Sequence, residues 1–319
     1  MKRLGRSAII FVAIGLAIYA GVYYAAERLM YRNGHSNAFF KIATATEPEF
    51  DWVILGASHA MPLDFADFDA QMQRETGLRI INLASPGTGP LYNRFVFEQF
   101  LEQHRAKNLL YVLDSFAFYS RLWNEDRFTD AKLLRGTPFK LATAQRLWRY
   151  NRREGVDARA VLDYVTGFSK INNRERFQED MWEGEPQFDR VYRPSASAVK
   201  SRIAYLYPDA TTPAALSRYL TAFSGLLELA EGRGVHVVVI KMPAPGQFRA
   251  QLPAETAFDE AISRLLAGRA VPFRDFSPDF DEPRFYFDTD HLNRAGLTEF
   301  LSRDLKAILV APPSAPTSP

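Results

Sequence analysis

A predicted buried strand that ends in a glycine and a serine constrains the fold of this chain more than any other feature. The aliphatic run Val53-Ile54-Leu55 breaks at Gly56, and Ser58 follows two residues later. Short apolar runs of this kind are typical of strands buried on both faces of a parallel sheet. Open α/β sheets bind ligands outside the carboxyl ends of their strands, so Ser58 is expected at the functional edge. An ordinary helix N-cap is the alternative role for this serine.

Strands and helices alternate along most of the chain. A helix is predicted to follow Ser58, with Asp64 as its cap and Gly77 as its stop. A helix followed by a strand indicates a right-handed crossover and a parallel sheet. The predicted fold class is therefore α/β, with three layers (α/β/α) and a mainly parallel sheet. The strands are predicted over residues 52–55, 78–84, 109–113, 235–240 and 271–276, and further helices over 93–105, 216–231, 258–266 and 294–308.

The amino terminus predicts a membrane anchor over residues 1–27. Lys2, Arg3 and Arg6 precede residues 8–26, which carry no charge. At about 1.5 Å per residue this stretch is long enough to cross a hydrocarbon core of about 30 Å. The basic residues on its amino side predict a cytoplasmic terminus and place the rest of the chain outside, in the periplasm. The location would be the inner (cytoplasmic) membrane, crossed once. A cleaved signal peptide is the alternative, but its apolar core is typically only about 7 to 15 residues.

The remaining chain divides into three predicted parts. Residues 28–48 form a stalk, residues 49–310 form the α/β domain, and residues 311–319 form a disordered tail rich in proline and serine. Within the domain, residues from about 116 to 216 are irregular, with aromatic residues and arginines interleaved. This stretch is interpreted as a helical insertion that covers the site.

Composition excludes several classes of function. The 39 basic and 37 acidic residues give a net charge of +2, so nucleic acid is not an expected partner. The chain has no cysteine, which rules out disulfides, thiolate metal sites and cysteine nucleophiles. Its 5 histidines are scattered without metal-ligand spacing, so neither a metal nor another cofactor is expected.

A second polar block lies near the carboxyl end of the chain. Asp288 precedes His291 by three residues, and Leu292-Asn293 follow. That spacing places a carboxylate beside an imidazole at a turn or helix start. Together with Ser58, the block supplies the residue types of a nucleophile, a base and an orienting carboxylate. Asp290 is interpreted as a solvated turn residue, and the alternative is a carboxylate that supports the site from behind the triad.

With both blocks in view, the chain resembles the SGNH, or GDSL-like, hydrolase superfamily. Gly-x-Ser after the first strand resembles that family's nucleophile block, and Asp-x-x-His before the last helix resembles its base block. With a membrane anchor in front, the chain looks most like the extracytoplasmic branch of alginate-type O-acetyltransferases and the D-alanyl transfer protein. The resemblance implies Ser58 as nucleophile, His291 as general base and Asp288 as its orienter. It also implies an oxyanion hole formed by the backbone of Ser58 and of Gly87 or Gly89. The alternative for the glycine stretch is a plain tight turn.

One block departs from the family pattern. The third strand of the family leads into Gly-x-Asn-Asp, whose asparagine donates to the oxyanion, whereas this chain has Leu113-Asp114-Ser115. An ionised aspartate cannot donate, so the role passes to Ser115 or Asn93, or the case for hydrolysis weakens. Asp114, Ser115, Asn93 and His59 are therefore candidate substrate-binding residues.

Three functions remain open from the sequence. The first is an envelope O-acyltransferase, acetyl being the expected group, that passes an acyl-serine to a glycan hydroxyl of an exported polysaccharide. Its partners would be the membrane, the polysaccharide and a membrane-bound acyl-donor protein. The second is a carbohydrate esterase or deacetylase with the same triad, and the third is a non-catalytic envelope protein that binds or assembles. Three tryptophans of the insertion would stack on sugar rings or simply pack: Trp123, Trp148 and Trp182.

Overall fold

The computed structural model describes residues 2–33, 37–178 and 181–311. These residues form two compact units. The helical unit comprises Met1–Phe40 and Phe128–Met181, and the sheet unit comprises Lys41–Arg127 and Trp182–Pro319. The predicted insertion is therefore divided, because its central part belongs with the amino-terminal helix and its two ends belong with the sheet. The predicted tail, apart from residue 311, lies outside the described residues.

Five parallel strands form the sheet, and the prediction of an α/β fold with a mainly parallel sheet is confirmed. Their order is β2-β1-β3-β4-β5. The chain adds β2 on one side of β1 and then β3 on the other, so the direction of winding switches between β1 and β3. The strands are β1 (Glu49–Leu55), β2 (Ile80–Asn82), β3 (Arg105–Val112), β4 (His236–Lys241) and β5 (Phe273–Asp275).

Helices pack on both faces of this sheet. Successive strand residues point to opposite faces, so Leu110 joins a core cluster with Phe300 on one face while Tyr111 packs against Phe223 on the other. The sheet unit contains α2 (Ala38–Thr44) in part, α3 (Phe68–Thr76), α4 (Pro90–Gln103), α9 (Ala196–Leu206), α10 (Pro213–Glu231), α11 (Gly246–Arg249), α12 (Glu255–Ala267), α13 (Arg294–Phe300) and α14 (Lys306–Val310). Short 3₁₀ turns lie at Ser58–Asp67, Ser115–Phe118, Arg121–Trp123, Asp126–Thr129, Glu185–Gln187 and Pro283–Phe285, and a π turn joins α13 to α14 at Leu301–Leu305.

The helical unit combines the amino-terminal helix with four helices from the middle of the chain. They are α1 (Lys2–Asn33), α5 (Ala131–Arg135), α6 (Leu141–Glu154), α7 (Ala158–Thr166) and α8 (Phe168–Ile171). Among the described helices, α1 is long and apolar enough over Arg3–Arg32 to cross a membrane. It continues past residue 27, into the segment predicted as a stalk. Part of that stalk, residues 34–36, lies outside the described residues.

Two local predictions are wrong at element boundaries. The strand predicted over 78–84 is paired only at Ile80–Asn82. The helix predicted to begin after Asp64 begins at Phe68, and Asp64 instead forms an ion pair with Lys41. The apolar spacing predicted the helix correctly from Phe68 onward. The residues before Phe68 form a 3₁₀ turn, in which the backbone angles of Phe65 and Ala66 are not helical. Gly77 ends the helix as predicted.

Gly56 allows the carboxyl end of β1 to approach β3 closely. Its φ is 154°, a region that residues with a side chain rarely adopt. A Cβ at this position would lie 2.8 Å from the carbonyl oxygen of Val112 and 2.9 Å from its Cβ. Residue 56 must therefore be glycine if β1 is to deliver Ser58 to the edge of the sheet.

We expect Gly56→Ala to lower the free energy of unfolding by roughly 2 to 5 kcal/mol, since backbone strain and overpacking both apply. Gly77→Ala is the matched control. Residue 77 also has a positive φ, of 70°, but no atom lies within 4 Å of its virtual Cβ. The control should lose only about 1 to 2 kcal/mol. Urea unfolding of the full chain in detergent, followed by tryptophan fluorescence, measures both. Equal losses would contradict the close approach of the two strands.

Candidate active site

The candidate site lies where β1 and β3 end, at the point where the winding of the sheet switches. Ser58 follows β1 after two residues and begins a 3₁₀ turn. Asp114 follows β3 after one residue. Both side chains are buried, at 4% and 8% exposure. Parallel strands bring their carboxyl ends to one edge, so residues 56 positions apart in the chain become neighbours here.

Asp288 and His291 form a hydrogen-bonded pair. The Nδ1 atom of His291 lies 2.8 Å and 3.0 Å from the two carboxylate oxygens of Asp288. The same carboxylate also accepts the backbone N–H of His291 at 2.8 Å, which fixes the turn. A carboxylate only accepts, so Nδ1 carries the proton and Nε2 keeps its lone pair. This is the tautomer that a general base requires.

Aromatic rings and an arginine surround the imidazole of His291. Phe287 stacks on it with ring centroids 5.5 Å apart, and Trp182 contacts it edge-on at 5.1 Å. The Nη2 atom of Arg202 lies 3.5 Å from Nε2. His291 is 1% exposed, so the ring is held on all these sides.

His59 occupies the space between two carboxylates. Its Nδ1 forms an ion pair with Asp114, and its Nε2 lies 3.2 Å from an oxygen of Asp290 without hydrogen-bond geometry. Burial by itself would lower the pKa of His59, but Asp114 and Asp290 outweigh burial and raise this pKa to about 10. His59 is therefore an imidazolium at neutral pH. It was predicted only as a possible substrate-binding residue.

Asp290 is fully buried, so its interpretation as a solvated turn residue is wrong. The guanidinium of Arg202 contacts both of its carboxylate oxygens, at 2.9 Å and 3.1 Å. Burial alone would raise the pKa of Asp290, but Arg202, His291 and His59 together hold it well below the usual range. Asp290 therefore stays ionised, and its negative charge lies close to both His59 and His291.

His59, the residue after Ser58, packs against His291. The rings of His59 and His291 are 4.8 Å apart, and Ser58 directly precedes His59. Within the described residues the Ser58 hydroxyl makes no hydrogen bond, to His291 or to any other group. Chain positions 58 and 291 thus share one edge of the sheet, with the serine hydroxyl uncommitted.

The glycine turn of residues 87–89 has a free backbone donor at Gly87. The N–H of Gly89 donates to the carbonyl of Trp123 at 2.5 Å, so Gly89 is not available to an oxyanion, contrary to expectation. The N–H of Gly87 donates to no described group. Thr88 ties the turn to the nucleophile loop by donating to the carbonyl of Gly56 at 3.0 Å.

The side chains considered as substitutes for the missing asparagine are engaged elsewhere. The amide of Asn93 donates to the Tyr111 hydroxyl at 3.3 Å in the core. The Ser115 hydroxyl lies 2.7 Å from the Tyr207 hydroxyl. Asp114 is the counter-ion of His59. The role proposed for Asn93 is therefore not supported by its position.

A cavity of about 460 Å³ adjoins this edge. His59, Asp114 and Ser115 line one side of it, and Phe248 and Lys241 line another. One carboxylate oxygen of Asp114, Oδ2, is buried and has no hydrogen-bond partner among the described residues. An unpaired buried acceptor on a cavity wall suits a ligand that brings a hydroxyl or amine donor.

The tryptophans expected to stack on sugars have different surroundings. Trp123 is buried, and its indole N–H donates to the carbonyl of Leu206 at 2.8 Å. Trp182 packs against His291 and Phe65. Trp148 is 56% exposed on α6, in the helical unit. For Trp123 and Trp182, packing is the role that the contacts show.

His59, Asp290 and His291 together have donor atoms within 4.8 Å, a grouping that raises the question of a metal. Their arrangement does not fit one. Arg202 already contacts both oxygens of Asp290, the one carboxylate of the group. The guanidinium supplies the positive charge that a cation would bring.

Arg202 was missed by sequence reasoning, and Trp182 was expected to stack on sugars rather than to contact His291. Arg202 reaches the site from α9 and Trp182 from the loop before it, in the irregular stretch where no pattern indicates function. Asp290 carried a weak signal, since it stands between the two residues of the Asp-x-x-His block.

The raised pKa of His59 predicts a pH-dependent stability. The imidazole has a pKa near 6.5 in the unfolded chain and about 10 when folded, so between these values the folded state binds one more proton. The stabilisation is complete below about pH 6.5 and is lost as pH rises toward 10, at up to about 1.4 kcal/mol per pH unit. Urea unfolding of the full chain and of His59→Gln from pH 6 to 9 tests this. The variant should show the smaller decline, and equal slopes would contradict a charged His59.

No protein-family model and no curated protein match this chain. Among solved structures, it is similar to one described as a "putative acylhydrolase" from Bacteroides fragilis NCTC 9343. The sequence identity is 10%, the superposition covers 85% of this chain and 93% of that chain, and the TM-score is 0.40. Residue roles cannot be carried across at this identity, so the site's own geometry has to indicate its chemistry.

Proposed function

We propose that this protein is a serine-dependent acyltransferase that uses Ser58 as nucleophile, His291 as general base and Asp288 as the residue that orients it. The single observation that carries the proposal is the hydrogen bond between Asp288 and Nδ1 of His291 at 2.8 Å, which favours a proton on Nδ1. The ring of His291 also lies 4.8 Å from the ring of His59, the residue after Ser58. The resemblance to the SGNH blocks supports the same three roles.

The proposed reaction has two halves. The Ser58 oxygen attacks the carbonyl carbon of an ester donor, its proton passes to Nε2 of His291, and the donor alcohol leaves with that proton. An acceptor hydroxyl then loses its proton to Nε2 of His291 and attacks the carbonyl carbon of the acyl-serine. The bond between that carbon and the Ser58 oxygen breaks, and His291 returns the proton to Ser58. Catalytic hydrogen bonds are often loose in unliganded enzymes and tighten with substrate, which accounts for the uncommitted Ser58 hydroxyl.

The oxyanion of each half-reaction would be met by two backbone donors. The N–H groups of Ser58 and Gly87 make no hydrogen bond within the described residues. The imidazolium of His59 adds a positive charge one residue from the nucleophile. Donors and charges fixed before the reaction stabilise a developing oxyanion without reorganising, and each donor typically contributes about 3 to 4 kcal/mol.

The acceptor would be a neutral sugar bound in the cavity beside Asp114. Four carboxylates (Asp114, Glu255, Asp259 and Asp275) and three cationic side chains (His59, Lys241 and Arg249) line that cavity. The excess of one negative charge disfavours an anionic sugar. Apolar walls suit the faces of a sugar ring, and Asp114 Oδ2 suits one of its hydroxyls.

The cellular setting proposed for this reaction is the outer face of the inner membrane. The basic residues before α1 favour a cytoplasmic amino terminus, which places the catalytic residues in the periplasm. An exported polysaccharide is then the acceptor, and a membrane-bound protein supplies the acyl group. An esterase with water as acceptor would use the same residues and is the outcome that the experiments separate.

Replacing members of the triad tests the chemistry. The full chain in detergent is assayed with p-nitrophenyl acetate, and a fluorophosphonate probe is used to label the nucleophile. Ser58→Ala, His291→Gln and Asp288→Asn should each lose activity on the order of 10³- to 10⁴-fold, because the three act as one unit. Asp304→Asn, a surface carboxylate paired with Arg303, is the control and should keep full activity. Labelling at another residue, or unchanged activity in Ser58→Ala, would contradict the proposal.

A substitution that fills the cavity tests binding of the acceptor separately from the reaction with the acyl donor. Ala250 lies on the cavity wall and is exposed, so Ala250→Trp should raise KM for a neutral oligosaccharide acceptor at least about tenfold through lost binding. Formation of the acetyl-serine should change less than about twofold. Ala267→Trp, exposed at the end of α12 outside the cavity, is the matched control. Mass spectrometry of the acetylated sugar is the measurement. If the acetyl-serine forms but only free acetate appears, the protein is an esterase.

A further inference from the structure

An exposed apolar surface lies at the junction of α7 and α8 in the helical unit. Leu162, Val165 and Phe168 are 63%, 49% and 62% exposed. Leu162 and Val165 lie three residues apart on α7 and are neighbours on its surface, and Phe168 begins α8 directly after the turn at Gly167. We call these three residues the apolar tip. Large apolar side chains grouped in this way mark an interaction surface.

The apolar tip is attached to α1 at a defined position along the helix axis. The Tyr19 hydroxyl donates to the carbonyl of Thr166 at 2.8 Å. The Tyr23 ring lies against Gly167, where any Cβ would collide with it. Gly167 has a φ of 68° and forms the turn between α7 and α8. The turn therefore packs on the same stretch of α1 that is apolar enough to cross a membrane.

Further contacts attach the helical unit to α1 near Glu27. Lys170 on α8 forms an ion pair with Glu27 of α1 and lies 5.6 Å from the centre of the Tyr23 ring. The backbone N–H of Phe139 donates to the same glutamate at 2.8 Å. These contacts leave little freedom for the turn to slide along α1.

The position of the turn along α1 corresponds to a depth below the surface of a bilayer. Residues 8–26 of α1 cover about 28 Å at 1.5 Å per residue, close to the thickness of a hydrocarbon core. Tyr19 precedes Ala26 by seven residues, which puts it about 10 Å inside the end of that stretch. Interfacial helices bury their apolar face about 5 to 10 Å deep, so the apolar tip lies at a matching depth.

Hydrogen bonding and charge agree with this depth. The Thr166 carbonyl is at the end of α7, where it has no partner in its own helix, and Tyr19 satisfies it. Exposed arginines at the end of α6 and the start of α7 suit the phosphates of lipid headgroups. They are Arg149, Arg152, Arg153 and Arg159.

We propose that the apolar tip inserts into the boundary between headgroups and acyl chains of the leaflet from which α1 emerges. The helical unit then touches the bilayer twice, through the span and through the turn. The inference rests on α1 as a membrane span and is independent of the chemistry at Ser58.

Depth measurement with single cysteines tests the proposal, since the natural chain has none. Val165→Cys and Ala158→Cys, at the two ends of α7, are labelled with the fluorophore NBD in the full chain. The proteins are reconstituted in vesicles of phosphatidylcholine and phosphatidylglycerol. Lipids with a nitroxide just below the headgroup should quench the label at 165 at least about twofold more than the label at 158. An unfolding transition in urea at the same midpoint as that of the unlabelled chain, followed by tryptophan fluorescence, shows that each labelled protein is folded.

Three results would overturn the proposal or part of it. Quenching of the 165 label by aqueous iodide to the same extent as the 158 label would place the apolar tip in water. A blue-shifted label that lipid nitroxides do not quench would mean that a second protein copy covers the tip. Tyr19→Phe should reduce the lipid quenching at 165, whereas Tyr24→Phe should not, because the Tyr24 hydroxyl accepts a hydrogen bond from Arg28 of the same helix. Equal quenching in both variants would remove Tyr19 as the residue that sets the depth.

Discussion

Four buried charges hold the candidate site together. His59 and Arg202 are positive, and Asp114 and Asp290 are negative, so the cluster is neutral as a whole. Removing a charge from water costs several kcal/mol, and a buried pair that loses one member typically costs about 3 to 5 kcal/mol. The cluster is therefore stable only when all four groups are present. It requires the ends of β1 and β3, the loop before α13, and α9 to come together in one arrangement.

This cluster also determines what His291 can exchange protons with. An arginine only donates, so Arg202 at 3.5 Å from Nε2 cannot accept a proton from the imidazole or remove one. Phe287 and Trp182 cover other sides of the ring. These contacts limit the groups that can exchange a proton with Nε2.

Sequence patterns predicted the structural features that depend on residues close together in the chain. The strand cores, the Gly77 stop and the pairing of Asp288 with His291 all follow from short spacings, and the structure contains each of them. Long-range partners left no such pattern. Arg202 pairs with Asp290 across 88 residues, and His59 pairs with Asp114 across 55. An isolated aspartate in a polar turn is normally solvated, so only the tertiary fold shows that Asp290 is buried.

The division of the insertion was unpredictable for a related reason. Residues 128–181 pack with α1, because Tyr19, Tyr23 and Glu27 offer contacts on a helix that composition alone marks as lipid-facing. A hydropathy pattern identifies a helix that could cross a membrane but not which of its side chains contact protein. Tyr19, Tyr23 and Glu27 of α1 make such contacts within the helical unit.

Asp114 and His59 are best understood as one unit. Taken alone, an aspartate where the family pattern has an asparagine removes a hydrogen-bond donor and suggests an inactive site. The structure pairs that aspartate with a histidine that stays protonated, so the pair still carries a donor and a positive charge beside Ser58. An asparagine at 114 would leave His59 with one carboxylate fewer and a lower pKa. The aspartate is therefore part of what keeps a cation beside Ser58.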